Sequence, residues 1–125
     1  MRYNHSASQF VVKNVTKSIE FYSEILSFGI DYVSGSPPGY AVVYRDEVYI
    51  HLCNLSIPEY RIGPGCTFIS VSGVDEIWEN IQDKDIEIIS PISNRDFGSG
   101  VLFRIFEICD LDKNVLRIGE KIRNK

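Results

Sequence analysis

The 125 residues predict an α+β fold of two tandem βαβββ units that form a curved mixed sheet with helices on its convex side. Three observations point there. Residues 12–20, VKNVTKSIE, are answered at an offset of 59 by residues 71–79, VSGVDEIWE, and each copy opens the same order of strand, turn, amphipathic helix and three more strands. The strand segments alternate aliphatic residues with polar and aromatic ones, as a sheet with two different faces requires. Neither half has enough helix to cover both faces, so one face stays concave and partly open.

In the first unit, residues 6–54, a strand is expected over 7–13, and Asn14 or Thr16 offers a side-chain oxygen to cap the helix that follows. Ile19, Tyr22, Ile25 and Leu26 recur at helical spacing and give that helix one buried face, and Gly29 stands where the chain must leave it. Strands follow near 30–34, 40–45 and 48–54, the last two joined by the tight Asp46-Glu47 connection of a hairpin. In the second unit, residues 66–120, a strand over 67–72 leads into a helix over 74–84 with Ile77, Trp78 and Ile81 inward. Strands near 87–91, 101–109 and 115–119 complete it. Residues 55–65, with Pro58, Pro64 and two glycines, read as a linker inside one domain spanning 1–125.

Alternation sorts the strand residues into two sets. Val48, Ile50 and Leu52, Phe10 and Val12, Ile69 and Val71, and Leu116 and Ile118 should lie against the helices. The opposite set is Tyr49, His51 and Cys53, with Tyr40, Tyr44, Gln9, Phe68, Ser70 and Arg117, a mixture of aromatic and polar groups of the kind that lines ligand pockets. The same rings could instead fill a second hydrophobic layer or a dimer interface.

Composition narrows the function classes. The formal charge is −4, from 17 acidic against 13 basic residues, and the basic residues are scattered, which disfavours a nucleic-acid partner. No apolar run reaches the length of a membrane span and residues 1–9 are polar, so a cytoplasmic protein without membrane contact is expected. Cys53, Cys66 and Cys109 are odd in number and far apart, and read as small buried residues with free thiols. Asp96-Phe97-Gly98 and Gly98-Ser99-Gly100 echo a kinase triplet and a phosphate loop, but no other kinase element is present and the glycines precede a strand, not a helix.

Val12-x-Asn14-Val15-x-Lys17-Ser18-Ile19-Glu20-Phe21-Tyr22, followed by Leu26-x-Phe28, resembles the opening strand and helix of the vicinal-oxygen-chelate superfamily, which includes glyoxalase I, fosfomycin-resistance enzymes, extradiol dioxygenases and bleomycin-resistance proteins. Residues 100–114, ending in Asp110-Leu111-Asp112-Lys113-Asn114, resemble its closing hairpin, with Leu111 and Lys113 in place of the usual Pro and Gly. Residues 40–48 and 71–78 are most similar to the bleomycin-binding members, which sequester a large cationic drug in grooves of a dimer without chemistry. By this resemblance Asp31, Tyr32, Tyr40 and Phe68 fall on acidic or aromatic groove positions. Leu102 stands where those proteins have a tryptophan, and Ser8 where their exchanging arm has a proline.

The superfamily's enzymes hold a divalent ion with four ligands, and the resemblance puts those positions at Ala7, His51, Cys66 and Arg117. Ala7 and Cys66 are themselves 59 residues apart, so the internal repeat supports the placement. Ala7 has no donor and Arg117 is a permanent cation, which leaves two ligands where catalytic zinc has three. His5, two residues before Ala7 on the same strand face, enters the site only if the register slips. His51 reads as a hydrogen-bonded histidine on a tyrosine-rich face. Arg104 and Arg117 are candidates for an anionic group of the ligand, with salt bridges to Asp31 or Glu120 as the commoner alternative.

The expectation is therefore a dimeric protein that binds and sequesters a small organic ligand, bleomycin-like or another aromatic drug, and confers resistance, with no metal and no other cofactor. Its ligand-binding residues are expected to be Asp31, Tyr32, Tyr40, Tyr49, His51, Phe68, Leu102, Arg104 and Arg117. The alternative is a metal-dependent lyase, isomerase or thiol transferase of the same superfamily.

Overall fold

In the computed structural model, which describes residues 1–54 and 64–124, each copy of the repeat folds into its own four-stranded sheet. The first compact unit is Met1–Pro64 and the second Gly65–Lys125. Unit 1 contains β1 (Ser8–Val11), α1 (Val15–Glu20), a π-helical turn (Phe21–Ile25), β2 (Gly29–Gly35), β3 (Pro38–Arg45) and β4 (Val48–Cys53). Its sheet runs β1-β4-β3-β2, with β1 parallel to β4 and the other pairs antiparallel. Unit 2 contains β5 (Cys66–Ser70), α2 (Val74–Ile81), β6 (Glu87–Asp96), β7 (Val101–Cys109) and β8 (Val115–Asn124), in the order β5-β8-β7-β6 with β5 parallel to β8. The two topologies are the same. The expected linker lies outside the described residues except for Pro64 and Gly65.

Local chemistry explains the elements. Asn14 is the N-cap of α1, its Oδ1 accepting from the Lys17 N–H at 2.9 Å. The helix then widens by one residue at Phe21–Ile25, and this brings two neighbours, Phe21 and Tyr22, into the core together. A strict 3.6-residue period picks out Tyr22 and Leu26 but not Phe21. The exit differs from expectation as well. Ser27 takes the left-handed conformation at φ 61°, and the Phe28 N–H closes on the Tyr22 carbonyl at 2.9 Å. Gly29 already belongs to β2, where a Cβ would stand 2.9 Å from the Tyr44 ring.

α1 lies against β3 and β4, and α2 against β7 and β8, so each sheet has one helix-bearing face. Phe10, Val12, Ile50 and Leu52 are buried in unit 1, and Ile69, Phe106, Ile108, Leu116 and Ile118 in unit 2, where Trp78 of α2 meets Phe106 at 5.1 Å between ring centroids. Ile81 is buried, and Ile77 and Trp78 are half-buried. β6 and β8 run further than the sequence suggests. Pro91 is tolerated inside β6 because β6 is an edge strand with register shifts on both sides of Ser90. β8 continues through Gly119, which has no Cβ to collide with the Phe68 ring at 3.2 Å. All three cysteines are free; Cys53 and Cys109 are buried as expected, whereas Cys66 is exposed.

Candidate functional site

The helix-free face of unit 1 is assembled by strand register. Gln9 of β1, His51 of β4, Val42 of β3 and Tyr32 of β2 are successive cross-strand partners and form one row across the sheet. Tyr44 pairs with Tyr49 in the next row, and their rings stack at 5.6 Å with 20° between planes. Tyr40 leans onto the first row: its hydroxyl lies 2.5 Å from His51 Nδ1 and 3.4 Å from Gln9 Oε1. The Tyr40 hydroxyl is pushed up from its usual pKa by burial and then by the neighbouring Cys53, so it stays protonated and keeps its one proton for the hydrogen bonds it shares with Gln9 and His51.

On this side of unit 1 a cavity of about 740 Å³ is lined by Asn4, His5, Ser6, Asp31, Tyr32, Val42, Glu47, Tyr49 and His51. Its size falls within the range of small-molecule sites. Tyr32 and Tyr49 are exposed and present ring surface to it, and Asp31 and Glu47 contribute two carboxylates. Four of the residues expected to bind ligand, Asp31, Tyr32, Tyr49 and His51, are thus brought together, and Tyr40 backs His51 from behind. Glu47 joins them as a further lining residue. Its only sequence signal is the two-residue turn, in which Asp46 takes the positive φ of 52° and leaves Glu47 to carry its side chain toward the cavity.

Unit 2 carries the equivalent row Phe68, Arg117, Glu107 and Ser90 on its own helix-free face. Arg117 donates from Nε to Glu107 Oε2 at 2.7 Å, and Arg95 donates from Nη2 to Glu107 Oε1 at 3.1 Å. Burial raises the Glu107 pKa, but the hydrogen bonds and charges of Arg117 and Arg95 outweigh it and hold the carboxyl below its ordinary value. Phe103 touches both Phe68 and Phe97 edge-on, at 5.6 and 5.3 Å, and the Arg117 guanidinium lies 5.7 Å from the Phe97 ring centre.

Arg104 and Leu102 do not join this face. Arg104 alternates to the helix-bearing side, where its Nε meets Asp75 of α2 at 2.7 Å and its Nη1 meets Asn94 at 3.0 Å; Leu102 has the same parity and is half-buried. The salt-bridge partners are therefore Asp75 and Glu107, not Asp31 or Glu120. Glu120 instead accepts the N–H groups of Gly73 and Val74 at the start of α2.

The four superfamily metal positions offer few ordinary donors. Ala7 is exposed and donates nothing, Cys66 is exposed, His51 is engaged by Tyr40, and Arg117 brings a cation already paired with Glu107. Among the described residues no three His, Cys, Asp or Glu side chains gather as a metal-binding group. No helix among them is long and apolar enough to cross a membrane.

Comparison with known proteins agrees with this architecture. None of the curated proteins matches the chain in sequence. Among solved structures, TioX from Micromonospora sp. ML1 superposes with a TM-score of 0.78 at 12% identity, covering 96% of this chain and 100% of that one. TnmS3, an antibiotic binding protein from Streptomyces sp. CB03234, gives 0.75 at 19% identity, with 97% and 98% covered. The bleomycin-binding protein of Streptomyces verticillus, complexed with copper(II)-bleomycin, gives 0.73 at 15% identity, with 94% and 96% covered. These likenesses are of fold. The family model of the Glyoxalase/Bleomycin resistance protein/Dioxygenase superfamily matches residues 2–118, and the chain belongs to that superfamily.

Proposed function

We propose that this protein binds a planar organic molecule without transforming it and sequesters it as a resistance protein does, in the cytoplasm and as a homodimer. The observation that carries the reading is the cavity of unit 1, about 740 Å³, in which exposed tyrosine rings stand beside a few polar groups at positions set by strand register. Tyr32 and Tyr49 offer stacking surface, Asp31 and Glu47 offer acceptors, and the Tyr40-held His51 offers a ring nitrogen for a hydrogen bond. Phe68 and Arg117 are the proposed binding residues on unit 2's own helix-free face. The lack of usable donors at Ala7 and Arg117 supports binding over metal-assisted chemistry. Similarity to proteins named as binding bleomycin or another antibiotic supports the ligand class.

Titration with copper-bleomycin and a panel of planar aromatic drugs, read by the fluorescence of Trp78 and the seven tyrosines, tests this. A ligand present at a hundred times its Kd is expected to stabilise the fold by about 2.7 kcal/mol, visible as a raised melting temperature. Silence across the panel in both readouts would retire the proposal. A metal-dependent lyase, isomerase or thiol transferase is the second reading, and what favours it is that His5 and His51 line the same cavity. Elemental analysis of protein purified without chelator separates the two, because stoichiometric zinc, nickel, manganese or iron belongs only to the enzyme.

A further inference from the structure

The helix-free face of unit 2 has a charge that the whole chain does not. The protein carries −4 overall, yet Arg95 and Arg117 share the single carboxylate of Glu107, which leaves one positive charge in excess. Lys121, opposite Phe103 in the β7–β8 register, adds a second cation on the same side. Asp96, at the end of β6, turns its Oδ1 onto the Gly98 N–H. Among the described residues Arg117 commits only its Nε to a carboxylate, and its side chain keeps 31% of its surface open to solvent. A part-exposed guanidinium beside a ring, with only its Nε committed to a carboxylate, is a ready donor to a second anion.

The apolar partner is built next to it. Phe68, Phe103 and Phe97 meet edge to face in a continuous series, Phe68 is 44% exposed and Phe97 47% exposed, and Gly119 lets the Phe68 ring lie down on β8 two residues from Arg117. Exposed phenyl rings beside an incompletely neutralised arginine match a molecule with a flat ring and a negative charge close to it. We propose that this face binds an aryl carboxylate, with Arg117 as the charge contact, Phe68 and Phe97 as the ring contacts, and Glu107 as the internal anion that tempers the affinity. The proposal rests on the ligand-binding reading above and names the chemistry of one end of the ligand.

Isothermal titration of the full chain with 2-naphthoate, 2-naphthylmethanol and 2-naphthylmethylammonium, with amide shifts recorded by NMR, tests it. The carboxylate is expected to bind about tenfold more tightly than the alcohol, the step a charged hydrogen bond supplies, and the ammonium more weakly than either. Shifts should centre on Phe68 and on Arg117 to Gly119. Arg117→Gln should reduce the carboxylate to the affinity of the alcohol, and Glu107→Gln should raise carboxylate affinity severalfold with the alcohol unchanged. Should Arg117→Gln fail to fold, Glu107→Gln and the three-ligand comparison decide the matter. Equal binding of carboxylate and alcohol, shifts confined to unit 1, or no response to either substitution overturns the proposal. If planar drugs bind while the naphthalene series shows no charge preference, sequestration stands and the aryl-carboxylate site alone falls.

Discussion

Asn114 is fully buried and uses both ends of its amide: Oδ1 accepts from the Gly65 N–H at 2.7 Å, and Nδ2 donates to Asp110 Oδ2 at 3.0 Å. Asp110 Oδ1 also receives the N–H groups of Asp112 and Asn114, both at 2.9 Å. This carboxylate holds the β7–β8 turn in shape although Leu111 and Lys113 stand where the superfamily has Pro and Gly, and Lys113 takes the glycine-like φ of 68°. Asn114→Leu keeps the volume but removes a hydrogen-bond partner from the Asp110 carboxylate and from the Gly65 N–H, and is expected to cost about 1–3 kcal/mol. Urea unfolding at constant m-value measures it; a loss below 0.5 kcal/mol, roughly the scatter of ordinary surface changes, would mean the turn has other support. Glu107 gives a pH signature. Its folded pKa lies below the unfolded value of about 4.3, so its stabilising effect is complete above that pH and is lost as the pH falls through the folded pKa. The stability gap between wild type and Glu107→Gln should therefore be flat near neutrality and shrink below about pH 4. A gap that stays constant down to pH 3 contradicts this.

At the level of elements, what could be read from sequence was whatever depends on near neighbours. Asn14 caps α1 three residues away, the Asp46-Glu47 turn closes its own hairpin, and alternation alone sorts Ile50 from His51 and Leu116 from Arg117. Contacts made across the sheet could not be read. Gly73 begins α2 in the left-handed conformation with no side chain to cap it, and the cap comes from Glu120 on β8, whose Oε1 lies 3.0 Å from both the Gly73 and the Val74 N–H. The same limit hides Asp75 as the partner of Arg104, and a turn residue such as Glu47 shows no face in the alternation pattern. Glu120→Ala removes the acceptor of two N–H groups and the negative charge at a helix N-terminus, at an expected cost of about 1–2 kcal/mol. Glu120→Gln, which keeps one accepting oxygen, should lose less. Thermal or urea unfolding of the pair would show equal losses if charge alone mattered.

For the whole molecule, the two sheets repeat not only their topology but also an exposed feature of their edges. β2 and β6 are the equivalent outer strands, reached last in each sheet order, and each carries two exposed aliphatic residues: Ile30 and Val33 on β2, Ile88 and Ile89 on β6. Both strands are also interrupted by register shifts, which twist an edge away from main-chain pairing with another copy. The proposed homodimer is therefore expected to form through these side chains and not by extending a sheet. Light scattering should then give about twice the 14.3 kDa chain mass, and either Val33→Lys or Ile89→Lys should return the protein to monomer with its circular dichroism unchanged. A wild-type monomer removes the dimer from the proposed function. A dimer that survives both lysines assigns the contact to another surface and leaves the edge aliphatics as solvent-facing residues with no partner in the assembly.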